Sequence, residues 1–288
     1  MRFSIYTEIQ HFPGKSWKQL YEEVIEQVVN ADRLGYYAYA AIEHFFFPKF
    51  SISANPFALW ATCAQRTKRI VFRTLGHVLP YHNPTILASQ IAMADILFEG
   101  RYEFGALRGH GWLPLKAGIP IEETRDRYEE SLDVLFTALE NERFSYDGKF
   151  YKIEDSHIVP RPSRRFRVFA GGTSDRTYEL AAERGWAVVV PPLLPYAALE
   201  EQLDLYRSKC AEHGTTPDIV WILPATSTRT GTRPAARPSR GCATSWPATP
   251  RRSPRATSSR PSTCSSGRAT ASTPPGSSRG WQRRPTRR

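Results

Sequence analysis

Four histidines between residues 44 and 110, Arg108 near the last of them and one glycine-rich run are the parts of this sequence with chemistry to offer. Glu43-His44 closes an apolar stretch, His77 and His82 bracket another, and Arg108-Gly109-His110 follows a third. An imidazole titrates near neutral pH, so His44 is the candidate general acid or base; the plainer alternative is a loop histidine bonded to Glu43. The run Ala170-Gly171-Gly172-Thr173-Ser174-Asp175 has the makings of an anion site. Its two glycines let a backbone approach a ligand, its hydroxyls lie beside a helix start, and free N–H groups with the helix dipole favour negative charge. Arg108 would complete such a clamp with a bidentate contact. The same run also suits an ordinary helix cap after a glycine turn. No metal site is read, because the histidines lack HxH and HExxH spacing.

These side chains need strands to hold them. From residue 3 to about 223, short β-rich runs alternate with longer helical patterns. Strands are predicted at Phe3–Thr7, Tyr37–Ile42, Ile70–Leu79, Tyr102–Ala106, Arg167–Ala170, Ala187–Val190 and Ile219–Leu223. Helices are predicted at Trp17–Leu34, Pro56–Gln65, Thr85–Phe98, Glu123–Leu139, Thr177–Arg184 and Ala197–His213. The first helix shows why: Leu20, Val24, Val28, Ala31 and Leu34 recur at three-to-four spacing, and Gly35 ends it. Such alternation implies parallel strands joined by right-handed crossovers. A doubly wound sheet would carry GxGxxG after its first strand, whereas Thr7–Gly14 contains one glycine. Polar residues cluster instead just after several strands, as in a barrel. The expected fold is therefore α/β, a (β/α)8 TIM-type barrel over residues 1–226. A hairpin insertion near 143–153 turns at Asp147-Gly148.

The formal charge of +11 points to a polyanion partner until it is located. Fourteen of the 39 basic residues are arginines in 229–288, a stretch with no lysine, acid, Ile, Leu, Val, Phe, Tyr or Met. The first 228 residues hold 25 basic and 28 acidic groups, a mildly acidic balance. A tail of Arg, Ser, Pro, Thr, Ala and Gly cannot bury enough apolar surface to order itself, so 227–288 is expected to be disordered and the barrel incomplete at its C-terminal end. A nucleic-acid-binding arm is one reading of the tail, but it has little aromatic interleaving. A shifted reading frame explains the composition better. Ser239–Thr249, back-translated with GC-rich codons and moved by two bases, reads PWMRNFLAGN, a helix-like stretch that a barrel needs there. Cys63, Cys210, Cys242 and Cys264 lack paired spacing, and no signal peptide or membrane-length apolar run is present. A cytoplasmic protein is expected.

The segment AAIEHFFFP, then TKRIVFRTLGHVLPYHNPTILASQIAMADILFEGRYEFGALRGHG, resembles the bacterial-luciferase-like flavin-dependent monooxygenase family. RYEESLDVL, FSYDGKFY, VPRP and AGGTSDRTYELAAERG continue the resemblance, which covers about residues 1–225. It implies an eightfold barrel with an insertion, binding FMN that a separate reductase supplies in reduced form. It further implies O2 and a small organic molecule as substrates, with a homodimer as a further expectation and no membrane. By resemblance, His44 matches the active-site histidine, and Arg108 matches an arginine on the FMN phosphate. Gly171, Gly172, Thr173, Ser174 and Asp175 match the loop and helix start that hold that phosphate. Leu75-Gly76 falls where the family often has a non-proline cis peptide under the isoalloxazine. Two departures stand out: EHFF replaces the commoner EHH, and Leu107 lies where a luciferase subunit can carry cysteine. Substrate identity and light emission therefore do not transfer. A deazaflavin-dependent oxidoreductase of the same fold is the near alternative, and a nucleic-acid-binding protein acting through its tail is the distant one.

Overall fold

Alternation along the strands sorts side chains into two layers, as strands covered on both faces require. The computed structural model describes residues 2–109, 111–190 and 196–225. Within them the strands are β1 (Ser4–Thr7), β2 (Ala38–Ala41), β3 (Val71–Val78), β4 (Tyr102–Leu107), β5 (Phe144–Asp147), β6 (Lys152–Ser156), β7 (Val168–Gly171), β8 (Ala187–Val190) and β9 (Ile219–Trp221). The helices are α1 (Trp17–Leu34), α2 (Pro56–Ala64), α3 (Pro84–Leu97), α4 (Leu113–Lys116), α5 (Thr124–Glu140), α6 (Asp175–Glu183) and α7 (Tyr196–His213). The predicted tail and the boundary at 226 lie outside the described residues.

The large sheet runs β1-β2-β3-β4-β7-β8-β9, every pair parallel and in chain order. A doubly wound sheet must reverse its order somewhere, and this one does not. The winding is that of a barrel, left incomplete: among the described residues β1 and β9 are edges. The antiparallel hairpin β5–β6 interrupts the alternation where the Asp147-Gly148 turn predicted it.

Outward-facing residues such as Tyr39, Phe72, Phe104, Ala170 and Val188 pack under the helices in the main core. Inward-facing residues one position away, Ala40, Leu75, Phe169, Ala187 and Val189, form a smaller second cluster inside the curve of the sheet. That inner layer also takes a buried ion pair at the N-terminal end of the strands: Arg73 Nε donates to Glu103 Oε2 at 2.6 Å. Tyr37 donates to Glu103 Oε1 at 2.7 Å, and the Arg73 guanidinium lies 4.5 Å from the centre of the Phe169 ring.

Helix ends follow local chemistry. Ser16 caps α1 in a reciprocal box with Gln19, and Gly35, at φ 82°, ends it in the left-handed region that glycine tolerates. Asn55 and Asn83 cap α2 and α3 ahead of prolines at the first helical position. Among the described residues, no helix is long and apolar enough to cross a membrane.

Candidate active site

The C-terminal ends of β2, β3, β4 and β7 carry the residues singled out above, as barrel chemistry requires. β3 and β4 approach so closely there that only glycine fits: a Cβ on Gly76 would stand 2.4 Å from the Gly105 carbonyl oxygen. The pairing slips between Thr74 and His77, and the Leu75–Gly76 peptide between them is cis.

The loop after β2 is pinned by Glu43. Its Oε2 accepts the Val78 N–H at 2.9 Å and lies 2.8 Å from His82 Nε2, while Oε1 is 3.3 Å from His77 Nδ1. His77 Nε2 in turn lies 2.8 Å from the Tyr102 hydroxyl. Burial alone would raise the Glu43 carboxyl, but the two imidazoles outweigh it and hold it down at about 2. Three potential metal ligands, Glu43, His77 and His82, thus gather within 4.8 Å, a cluster that motif spacing did not reveal. With hydrogen bonds on both carboxylate oxygens, it serves as a buried knot holding the neighbouring His44. The backbone N–H of His44 donates to Ser53 at 2.9 Å, and its ring rests 4.6 Å from that of Phe50.

His44 faces a small pocket whose walls come from three strand ends: Ile42 and Phe45 after β2, Val78 at the end of β3 with Tyr81 beyond it, and Leu107 at the end of β4 with Gly109 beyond it. Leu113 of α4, an element absent from the sequence reading, also lines it.

Between Leu107 and Gly109, Arg108 belongs to a second site. Its Nη1 donates to Thr124 Oγ1 at 3.3 Å. Arg125, the next residue, donates from Nη2 to Ser174 Oγ at 2.9 Å. Arg108 has no carboxylate partner among the described residues; burial and then the neighbouring Arg125 charge both lower its pKa. Arg125 Nη1 stands 3.7 Å from Glu129 Oε1, which offsets part of its charge, while the unpaired Arg108 leaves the pair favouring an anion. Ser174 is extended at the start of α6 and makes no side-chain cap, its hydroxyl turned to Arg125 and to Thr177 Oγ1 at 3.0 Å, while its carbonyl accepts the Thr177 N–H at 2.9 Å. The helix therefore starts at Asp175, two residues before the predicted Thr177. Bare backbone completes the cradle. A Cβ on Gly172 would stand 2.9 Å from Thr177 Oγ1, and one on Gly171 2.6 Å from Leu107 Cδ2. Leu107 thereby joins the cradle to the pocket. Gln202 donates to the Thr173 carbonyl at 2.5 Å, fixing the loop from α7.

The sequence profile of luciferase-like monooxygenases matches residues 1–238. The chain belongs to that family. Among this luciferase-like chain's relatives is the alkanal monooxygenase alpha chain of Photobacterium leiognathi, 28% identical over 204 residues, 70% of this chain and 57% of that one. A monooxygenase of known structure, RslO1 from Streptomyces bottropensis, superposes with a TM-score of 0.72 at 26% identity, over 77% of this chain and 70% of that one. The FMN-bound oxygenating constituent of 3,6-diketocamphane monooxygenase from Pseudomonas putida gives 0.66 at 26% identity, over 76% and 64%. The chain spans less than two thirds of the alkanal monooxygenase chain that it matches.

Sequence reasoning about the luciferase-like chain brought Arg108 and Gly171 through Asp175 to one place, and His44 to the adjoining pocket. It missed Arg125 and Tyr81. Arg125 is the second residue of α5, and its place in the first helical turn was the usable signal.

Proposed function

We propose that this chain is the FMN-binding oxygenase of a two-component monooxygenase, receiving reduced flavin from a separate reductase and oxidising a small organic substrate with O2. The observation that carries this is the convergence, on a start of α6 without a side-chain cap, of Arg108, Arg125 and Ser174, a donor set suited to a phosphate dianion. Bound reduced FMN would supply the two electrons that activate O2. The chain's own part is positional and protic. Arg108, Arg125, Thr173, Ser174 and the Gly171-Gly172 backbone hold the phosphate, and Asp175 opens the helix beside it. Leu75-Gly76, where the missing Cβ of Gly76 lets β3 lie against the Gly105 carbonyl of β4, is the floor we assign under the flavin ring. His44 takes or returns a proton at the mouth, while Phe45 and Leu113 keep water out.

Oxidised FMN, reduced FMN and a deazaflavin cofactor, titrated separately, test the proposal. Binding of both FMN forms, with O2 consumed only when reduced FMN is present, is expected; preference for the deazaflavin would give the site to hydride transfer instead. His44→Ala should lower turnover by about 10²–10⁴ and leave FMN affinity unchanged.

Two further parts belong with the proposal. The outward side of α3 exposes Ile86, Met93, Ile96 and Leu97, and the helix's one charged residue, Asp95, is buried. A second copy of the chain would cover this uncharged face, and Met93→Asp should then halve the molar mass in solution. The composition of residues 227–288, which lack Ile, Leu, Val, Phe, Tyr, Met and any acid, supports a tail read out of frame. Sequencing the gene would decide it: an intact single frame through residues 227–288 would refute the shift.

A further inference from the structure

Glu43, His77 and His82 are the one cluster among the described residues whose donor atoms converge as metal ligands do. Two imidazole nitrogens and a carboxylate oxygen suit a borderline cation such as Zn²⁺, not Mg²⁺ or Ca²⁺, which take oxygens. A tetrahedral ion with bonds of about 2.0–2.1 Å holds its donors roughly 3.3 Å apart. Here Glu43 Oε2 and His82 Nε2 are 2.8 Å apart, Glu43 Oε1 and His77 Nδ1 are 3.3 Å apart, and every pair of the three lies within 4.8 Å. The widest side therefore closes by at most about 1.5 Å. His82, whose side chain is 23% exposed while the other two are buried, is the member free to turn.

The groups behind the ligands serve an ion as well as they serve protons. The Val78 N–H fixes the carboxylate through Oε2 at 2.9 Å. The His77 ring stacks on Phe57, with centres 4.6 Å apart, and lies near-parallel to Phe104 at 5.6 Å. Its Nε2 is 2.8 Å from the Tyr102 hydroxyl, which donates onward to Thr74 Oγ1 at 3.4 Å. With the Tyr102 proton on the Thr74 side, the Nε2–H of His77 donates to the Tyr102 oxygen. Nδ1 then keeps a free lone pair toward Glu43, the tautomer that a metal ligand needs. The small pocket lined by Glu43, His44 and Tyr81 has room for about one water. The Tyr81 hydroxyl in its wall has no hydrogen-bond partner among the described residues, and a water there would pair with it.

We infer that Glu43, His77 and His82 form a three-ligand site for a divalent ion of the Zn²⁺ type, which takes a water as its fourth ligand and ties the loop carrying His44 to the end of β3. In the metal-free chain the same side chains share protons as the knot described above. Binding exchanges those protons, which leave to solvent, for bonds to the ion. The site goes beyond the flavin-oxygenase proposal and needs neither FMN nor substrate.

Zn²⁺, Co²⁺ and Mg²⁺, titrated separately into the full chain without a histidine tag, test this by calorimetry, visible absorption and thermal unfolding. Zn²⁺ should bind, Mg²⁺ should not, and Co²⁺ should give the intense visible bands of a tetrahedral site. At a hundredfold excess over its dissociation constant, Zn²⁺ should raise the unfolding temperature by about 5–10 °C. Tyr102→Phe, which touches no ion, should weaken Zn²⁺ binding about ten- to a hundredfold, and His82→Gln, which removes a ligand, by more. Cys242→Ser with Cys264→Ser, which removes the thiols of residues 227–288, should leave the affinity unchanged. Absence of Zn²⁺ binding, a pale octahedral Co²⁺ spectrum, equal Zn²⁺ affinity in the parent and His82→Gln, or loss of binding in the double cysteine variant would each overturn the inference. The Co²⁺ spectrum is read on the unaltered chain, so the inference stays open to refutation whether or not a variant folds.

Discussion

The two ends of the same strands are built to opposite rules. At the N-terminal end, the strong polar groups inside the sheet are paired among the described residues. Arg73 pairs with Glu103, Tyr37 donates to the same carboxylate, and Arg167 grips Asp218 through two guanidinium nitrogens. At the C-terminal end, the Tyr81 hydroxyl and Trp112 Nε1 are buried with no hydrogen-bond partner among the described residues. Arg125 Nη1 there has no hydrogen bond, its nearest acid, Glu129, standing 3.7 Å away. Arg108 sits beside a like charge. Polar groups satisfied inside the protein hold a fold together; polar groups left waiting are what a ligand binds. Stability and recognition are thus separated along about five residues of strand.

The comparison breaks first at its stable end. Arg73→Ala leaves Glu103 buried with its main partner gone and should cost about 3–5 kcal/mol of folding stability, read by denaturant unfolding. The double change Arg73→Met with Glu103→Leu should recover much of that, since replacing both partners removes the stranded charge. A loss under about 1 kcal/mol for Arg73→Ala would mean that this layer does not carry stability.

Glu43 sharpens the comparison because it is a satisfied knot at the end otherwise left open. Its carboxyl titrates at about 2 in the folded chain against an ordinary 4.5, so the unfolded chain binds the additional proton between those values. The stabilisation is therefore full above about pH 4.5 and lost as pH falls toward 2. Glu43→Gln should cost at most about 3 kcal/mol at pH 7, and the gap from the parent should close on acidification. A gap that stays constant from pH 7 to pH 3 would show that the imidazoles do not hold this carboxylate.

The smallest effects on stability, with real effects on binding, belong to the cradle. Arg108→Ala or Arg125→Ala should weaken FMN binding by roughly 1.5–3 kcal/mol, about tenfold to more than a hundredfold. Because the two cations repel, neither change should lower the unfolding midpoint of the flavin-free chain. A destabilised variant with unchanged FMN affinity would move these arginines to the structural side of the comparison.

Much of this was legible beforehand, for identifiable reasons. The apolar run Ala187–Val190 and the stripe of α1 declare themselves through hydrophobic patterning, and Asp147-Gly148 through turn chemistry. Gly171 through Asp175 could be read because glycines and hydroxyls before a helix carry a local meaning. Tyr81 could not: in LPYHNP it reads as a turn residue, and only the approach of Gly109 from β4 makes its hydroxyl part of a pocket. Glu43, His77 and His82 likewise meet only because β2 and β3 are neighbours in the sheet. Adjacency across strands is the information that local patterns lack.

One titration tests most directly whether the open end is a flavin site that reads phosphate. FMN and riboflavin share the isoalloxazine and ribityl chain and differ only in the group that the cradle would hold. FMN should bind the full chain about tenfold to more than a hundredfold tighter than riboflavin, and Arg108→Ala should erase most of that difference. Equal affinities for FMN and riboflavin in the parent chain would contradict it.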